Sequence, residues 1–391
     1  MGYIPSHIQD LADLGVHNIT CNILLQSLFA PEAGEGTFEH TFQGHTFHVR
    51  KGALAGYDNL LTFCSQLDIV VSAILLIGRG GSEESRRIWQ HPDCRDPGIY
   101  TMANVTSAEG VLHYAAAVDI LASRYCRSDN AYGRIHHWIM HNEVDAGLTW
   151  TNMGNKPVTV YMDNYIKSMR LCYNIARKYD ASAEVLASFT HSWAEACAPE
   201  YYSTKNMLKI LQDYTRAEGD FQWGLACHPY PQNLLEPKTW NDSKATFSMN
   251  SPLVTFKNLE VLDTWIKRTE NRYKGAVKRT LWFSENGTNS PTYSEADLKE
   301  QAAGFAYAWK KMEKLDGIDA FQWHNWIDNR LEDGLRIGLR RFPDDTADPG
   351  GRKPVWYVYQ AAGTAQEDAV FDPFKPVIGI SNWDEVYYSG T

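Results

Sequence analysis

The apolar positions along the chain follow two alternating periods. Short continuous apolar runs recur at 17–25 (HNITCNILL), 69–77, 135–142, 184–189, 221–227, 280–284 and 318–323. Each has the length of a strand and the unbroken character of one covered on both faces. Between them the period changes to that of a helix. Residues 57–67 and a segment opened by Ser107, with Leu112, Ala116, Ile120 and Tyr125, are spaced this way. So are 158–179, with Met162, Ile166, Met169, Tyr173 and Ala176 on one face, then 204–216, 255–273 and a short 355–362. Ser294 with Asp297 three residues on marks a capped helix start, and the pattern runs from there to Lys314 with Gly317 as its stop. Ahead of all this the pattern predicts a helix over 5–14 ended by Gly15. It also predicts a hairpin over 37–49, where FEHTFQGHTFHV alternates about Gly44. The stretch from Gly78 to about Met102, rich in Gly, Arg and Pro, reads as a loop.

Strands separated by helices without a break in composition imply a single parallel α/β domain over residues 1–391. The expected architecture is a (β/α)8 TIM barrel with loop insertions. The order begins with a helix, so the seven visible strands stand as barrel strands two to eight. A first strand is not visible; it would come from upstream of the chain or from Pro376–Ile380. A doubly wound open sheet is the alternative, but no GxGxxG or P-loop follows any strand, which counts against its nucleotide-binding forms.

Composition narrows the choice of ligand. Thirteen Trp, 21 Tyr and 15 Phe exceed what a core usually requires, and such a surplus suits either an aromatic-rich interior or a groove that stacks on sugars or bases. A net charge of −10 would repel a polyanion, so nucleic acid is not expected as a partner. The seven cysteines are scattered without a CxxC, as reduced buried thiols are. The longest apolar run, 69–77, is far short of the roughly 20 residues of a membrane span, so a soluble protein without membrane contact is expected. Neither the oligomeric state nor the compartment is legible, since a signal removed from a precursor leaves no trace. The sequons at Asn104 and Asn286 are too common by chance to decide it.

Candidate chemistry lies at two strand ends. In LWFSENGTNS (281–290) an apolar run stops at Glu285 and turns at Asn286-Gly287; in HHWIMHNEVDAG (136–147) another stops at Asn142-Glu143. Two strand-end glutamates suit work on opposite sides of one bond. With WIMHNEV (138–144), WTNMG (150–154), CHPYP (227–231), WFSENG (282–287) and DGLRIGL (333–339), the chain resembles the clan A retaining glycoside hydrolases. Within that clan it looks like a group of barrel proteins catalogued mainly as a domain of unknown function. The resemblance implies a carbohydrate substrate and no cofactor or metal. It further implies Glu143 as acid/base on strand four and Glu285 as nucleophile on strand seven. Asn142 would bond the sugar 2-hydroxyl, and His228 and Tyr230 would hold the nucleophile ionised and touch the sugar. Trp323, His324 and Trp326, at the end of strand eight, fall where this clan often places a tryptophan beneath the sugar ring. The arginine that the clan carries on strand two has no clear counterpart.

Other readings have their own residues. Asp145 and Asp328 are spare carboxylates, read first as loop solvation. Arg79, Arg86, Arg87 and Arg95 would suit an anionic sugar, although Glu83, Glu84 and Asp93 beside them favour local ion pairs. His137, His141 and Glu143 suggest a metal-dependent hydrolase, but the Pro-Cys-x-x-Cys of zinc deaminases is absent. A barrel that only binds glycans or a protein is the remaining alternative; two opposed carboxylates argue against it.

Overall fold

A computed structural model describes residues 7–388 and Gly390. Its strands are β1 (Asn18–Leu24), β2 (Phe29–Ala30), β3 (Thr37–Phe42), β4 (His45–Arg50), β5 (Val70–Leu76), β6 (His137–Met140), β7 (Glu184–Phe189), β8 (Trp223–Cys227), β9 (Leu281–Phe283) and β10 (Ala320–Phe321). Seven of them form one sheet in the order β1-β5-β6-β7-β8-β9-β10, which is simply their order along the chain. These are the seven expected strands, and helices separate them.

The chain divides into two compact units. One is built from Val16–Phe189 and Cys197–Leu225, the other from Gln9–Gly15, Thr190–Ala196 and the chain from Ala226 onward, so the division falls inside β8. In the first unit β1 pairs in parallel with β5, β5 with β6 and β6 with β7; Ile74, for example, lies opposite both Asn22 and Ile139. From their second residues on, β5 and β7 are buried without interruption, as a sheet covered on both faces requires. The covering helices start where the sequence places caps. Ser107 Oγ accepts from Gly110 N and opens Ala108–Tyr125. The helix Val158–Tyr179 buries Met162, Ile166, Met169 and Ala176 of the stripe expected of it, and leaves Tyr173 half-buried. The Met and Ile side chains each contribute about 1.5–3 kcal/mol by leaving water, so a charge at Met169 would unseat the helix.

The hairpin is present as expected. Strands β3 and β4 pair from Thr37↔Arg50 to Phe42↔His45, and Gln43 and Gly44 turn with φ of 49° and 80°, the left-handed pair of a two-residue turn. His40 Nε2 lies 3.0 Å from Asp119 Oδ2, which fastens the hairpin to the helix Ala108–Tyr125.

In the second unit β9 and β10 are parallel, with Ala320 opposite Trp282. Ser294 Oγ accepts from Asp297 N and starts the helix Glu295–Met312 as the sequence indicates. Four expectations are corrected. Residues 376–380 do not supply an eighth strand, because Lys375–Ile378 is helical. The expected helix 255–273 is broken: Thr255 caps a 3₁₀ turn, Glu260–Lys267 is the only α-helical part, and extended Arg268 ends it. Within the presumed 78–102 loop, Ser82 caps a helix over Glu83–Trp89. Positions 5 and 6 of the expected N-terminal helix lie outside the described residues, and the remainder contracts to one turn, Asp10–Asp13, before left-handed Gly15.

Candidate active site

Glu143 stands three residues beyond the end of β6, in the first unit. Its backbone N–H donates to Ser188 Oγ at 3.0 Å, near the end of neighbouring β7. It holds φ 37° and ψ 61°, a left-handed conformation that a glutamate rarely adopts. Asn142 beside it is 7% exposed, and its Oδ1 has no hydrogen-bond partner among the described residues. A buried amide oxygen left open in this way is costly unless something fills it. Asp145 is fully buried, and its carbonyl accepts from Tyr202 N at 2.9 Å.

An aromatic surface adjoins this loop. Tyr100 and Trp150 stack with ring centroids 6.0 Å apart, and Tyr201 Oη meets Thr149 Oγ1 at 2.5 Å. Buried Asn152 holds the two loops together, its Nδ2 donating to Pro97 O at 2.5 Å and to Leu148 O at 2.9 Å. Only the position of Trp150 in a post-strand loop hinted at this feature in the sequence.

Glu285 follows β9 in the second unit. Its Oε1 accepts from Tyr230 Oη at 3.0 Å. His228, fully buried, turns Nε2 to Ser284 Oγ at 3.2 Å. Burial pushes the Glu285 carboxyl up, but the His324 and His228 rings and the Tyr230 hydroxyl together outweigh it, and the group lies below the usual glutamate range despite the repulsion of Glu332. His324 Nε2 is 2.8 Å from Glu332 Oε2, and that carboxylate also accepts from Asn325 Nδ2 at 2.6 Å and Asn329 Nδ2 at 3.1 Å. Burial raises the Glu332 carboxyl, yet these donors pull it down to about 2. Glu332 carries no signal in the sequence, since it lies in an aperiodic polar loop. The peptide bond His324–Asn325 is cis.

The two tryptophans part company. Trp323 donates Nε1 to Ile337 O at 2.8 Å and lies beside Gly287, two residues past Glu285. Trp326 donates Nε1 to Asp10 Oδ2 at 2.9 Å, joining the buried pair that Asp10 makes with Arg340. Asp328 is fully buried against Lys353 Nζ at 2.9 Å, with Tyr293 Oη at 2.7 Å, so it is an ion-pair partner and not loop solvation. His141 has both ring nitrogens engaged, Nδ1 with Leu75 O at 2.6 Å and Nε2 with Ser168 Oγ at 3.2 Å, so it does not serve as a ligand beside His137 and Glu143 in the alternative metal reading. Arg87 pairs with Glu109 and Arg79 with Asp96, as local ion pairs.

The model of a family of unknown function, DUF5722, matches residues 2–386. The chain belongs to the DUF5722 family. No curated protein sequence matches it. Among solved structures this DUF5722 chain is similar to a family 39 glycoside hydrolase from Bacteroides cellulosilyticus WH2, at 14% identity and a TM-score of 0.55, over 92% of this chain and 60% of that one. It is similar to a family 1 β-glucosidase from Thermotoga maritima, at 12% identity and a TM-score of 0.55, over 91% of this chain and 84% of that one. An exo-β-1,4-mannosidase from Opitutaceae bacterium strain TAV5 aligns at 13% identity and a TM-score of 0.53, over 95% of this chain and 56% of that one. The chain thus spans less than two thirds of the first of these. At such identities the likeness establishes the fold alone, an α/β fold of the TIM-barrel type. No helix of the described residues is long and apolar enough to cross a membrane.

Proposed function

We propose that this DUF5722 chain is one glycosidase domain that hydrolyses a β-linked oligo- or polysaccharide with retention of configuration. The observation that carries the proposal is the setting of Glu285. A carboxylate that burial would neutralise is kept ionised by a tyrosine hydroxyl and two histidine rings, which is what a nucleophile attacking an anomeric carbon needs. Glu143, which follows the third strand of the sheet as Glu285 follows the sixth, is the proposed acid/base. The open acceptor of Asn142 suits a sugar hydroxyl, and the stacked Tyr100–Trp150 pair offers an apolar face for a pyranose ring.

In the proposed reaction Glu143 protonates the leaving oxygen while Glu285 attacks, and water, deprotonated by Glu143, then releases the sugar. The two carboxyl groups would lie about 5–5.5 Å apart in such a site. Glu285→Ala should abolish turnover of every glycoside. Glu143→Ala should still form the glycosyl-enzyme from a dinitrophenyl glycoside, whose leaving group needs no acid, and added azide should restore its turnover as a glycosyl azide of retained configuration. Inverted product from the wild type, or unrescuable loss in both variants, would overturn the pair.

A further inference from the structure

His324 is fixed from both ends. Its backbone N–H donates to Asn286 O at 2.7 Å, the residue next to Glu285, and its ring stands edge-on to Tyr230 with centroids 6.3 Å apart. Its Nε2 meets Glu332 Oε2 at 2.8 Å. Glu332 in turn is gripped by Asn325 and Asn329, so three donors from one loop converge on a single partly covered carboxylate. The neighbouring Leu331 is 93% exposed, so this loop does not owe its shape to apolar burial at that residue. A carboxylate held this tightly against an imidazole fixes the orientation of the ring.

On the reading of Glu285 as nucleophile, we infer that Glu332 is a positioning residue: by anchoring Nε2 of His324 it holds that ring edge-on to Tyr230, the donor to Glu285, and so keeps the setting of the nucleophile in place. His324, His228, Tyr230 and Glu332 are among the titratable groups that bear on Glu285. His324 lowers the Glu285 carboxyl and Glu332 raises it, the effect of His324 being the larger. A His324 ring released from its anchor and turned away from Glu285 therefore leaves that carboxyl higher.

The test is the pH profile of kcat/KM for a dinitrophenyl β-glycoside that the wild type turns over, a substrate that leaves the nucleophile as the group read on the acid side. Glu332→Gln should move the acid limb to higher pH and lower activity about tenfold at pH 5, with much less loss at pH 8. Glu332→Asp should recover part of both. An acid limb that stays in place, or moves to lower pH, would overturn the inference even if activity falls, because a merely structural role lowers activity at every pH alike. Should Glu332→Gln fail to fold, ¹H–¹⁵N NMR of the intact protein decides: the Nε2 proton of His324 should give a downfield, slowly exchanging signal held by its hydrogen bond to Glu332, and its loss to fast exchange would overturn the inference. This readout does not need turnover, so it separates failure here from failure of the glycosidase reading, which an inactive wild type would show.

Discussion

The hydroxyl of Tyr230 donates to Oε1 of Glu285 across 3.0 Å, joining a residue three past β8 to one two past β9. Adjacent parallel strands carry their ends to one edge of the sheet, so a CHPYP turn and a SENG turn far apart in sequence meet there. The bond is to a charge, and such bonds are worth about 1.5–3 kcal/mol.

Tyr230→Phe removes that donor and leaves only the His324 and His228 rings to oppose burial. The Glu285 carboxyl should rise, and with it the acid limb of kcat/KM should move up by about one pH unit, since 1.36 kcal/mol corresponds to one unit. Activity on the alkaline side should fall by less than at pH 5. A profile that drops evenly without moving would show that Tyr230 touches only the substrate.

Lys353 and Asp328 form a fully buried ion pair, with Nζ 2.9 Å from Oδ1. Burial pushes the lysine down to about 8, against the pull of Asp328. Lys353→Met leaves Asp328 charged and unmatched, which costs about 3–5 kcal/mol. The double change Lys353→Met with Asp328→Leu should cost much less than the sum of the two singles. Denaturant midpoints of the four proteins measure this, and additive losses would show that the pair is not coupled.

The strands were legible because a buried parallel strand is a continuous apolar run, and β5, β7 and β8 have no polar face to confuse the period. β10 proved shorter than its run. His324 N donates to Asn286 O, outside the regular ladder, because the chain has already turned into the site. The 255–273 helix was over-extended since Val261, Leu262, Trp265 and Ile266 keep the helical period while the extended backbone of Arg268 overrides it. Glu143 and Glu285 could be read as carboxylates that end apolar runs. Glu332 could not, because its role exists only once its loop folds back on His324, and no local pattern records that contact. Trp323 and Trp326 share one motif, yet the indole of Trp326 is taken by Asp10, more than 300 residues earlier in the chain.

Glu143 holds a conformation that works against the fold. At φ 37° its Cβ crowds the backbone, a cost of about 1–2 kcal/mol for a residue that is not glycine. Glu285 shows no such feature, being absent from the described residues of positive φ. If the strain is kept because the proposed acid must sit there, a residue that tolerates this conformation should relieve it while ending the chemistry. Glu143→Asn should stabilise the protein by about 0.5–1 kcal/mol and lower activity on unactivated glycosides by about 10²–10⁴, the usual worth of a general acid. Glu285→Gln should lose activity without that gain. Calorimetric melting of both variants beside the wild type decides the matter, and a Glu143→Asn protein that melts lower than the wild type would remove strain from the account of this residue.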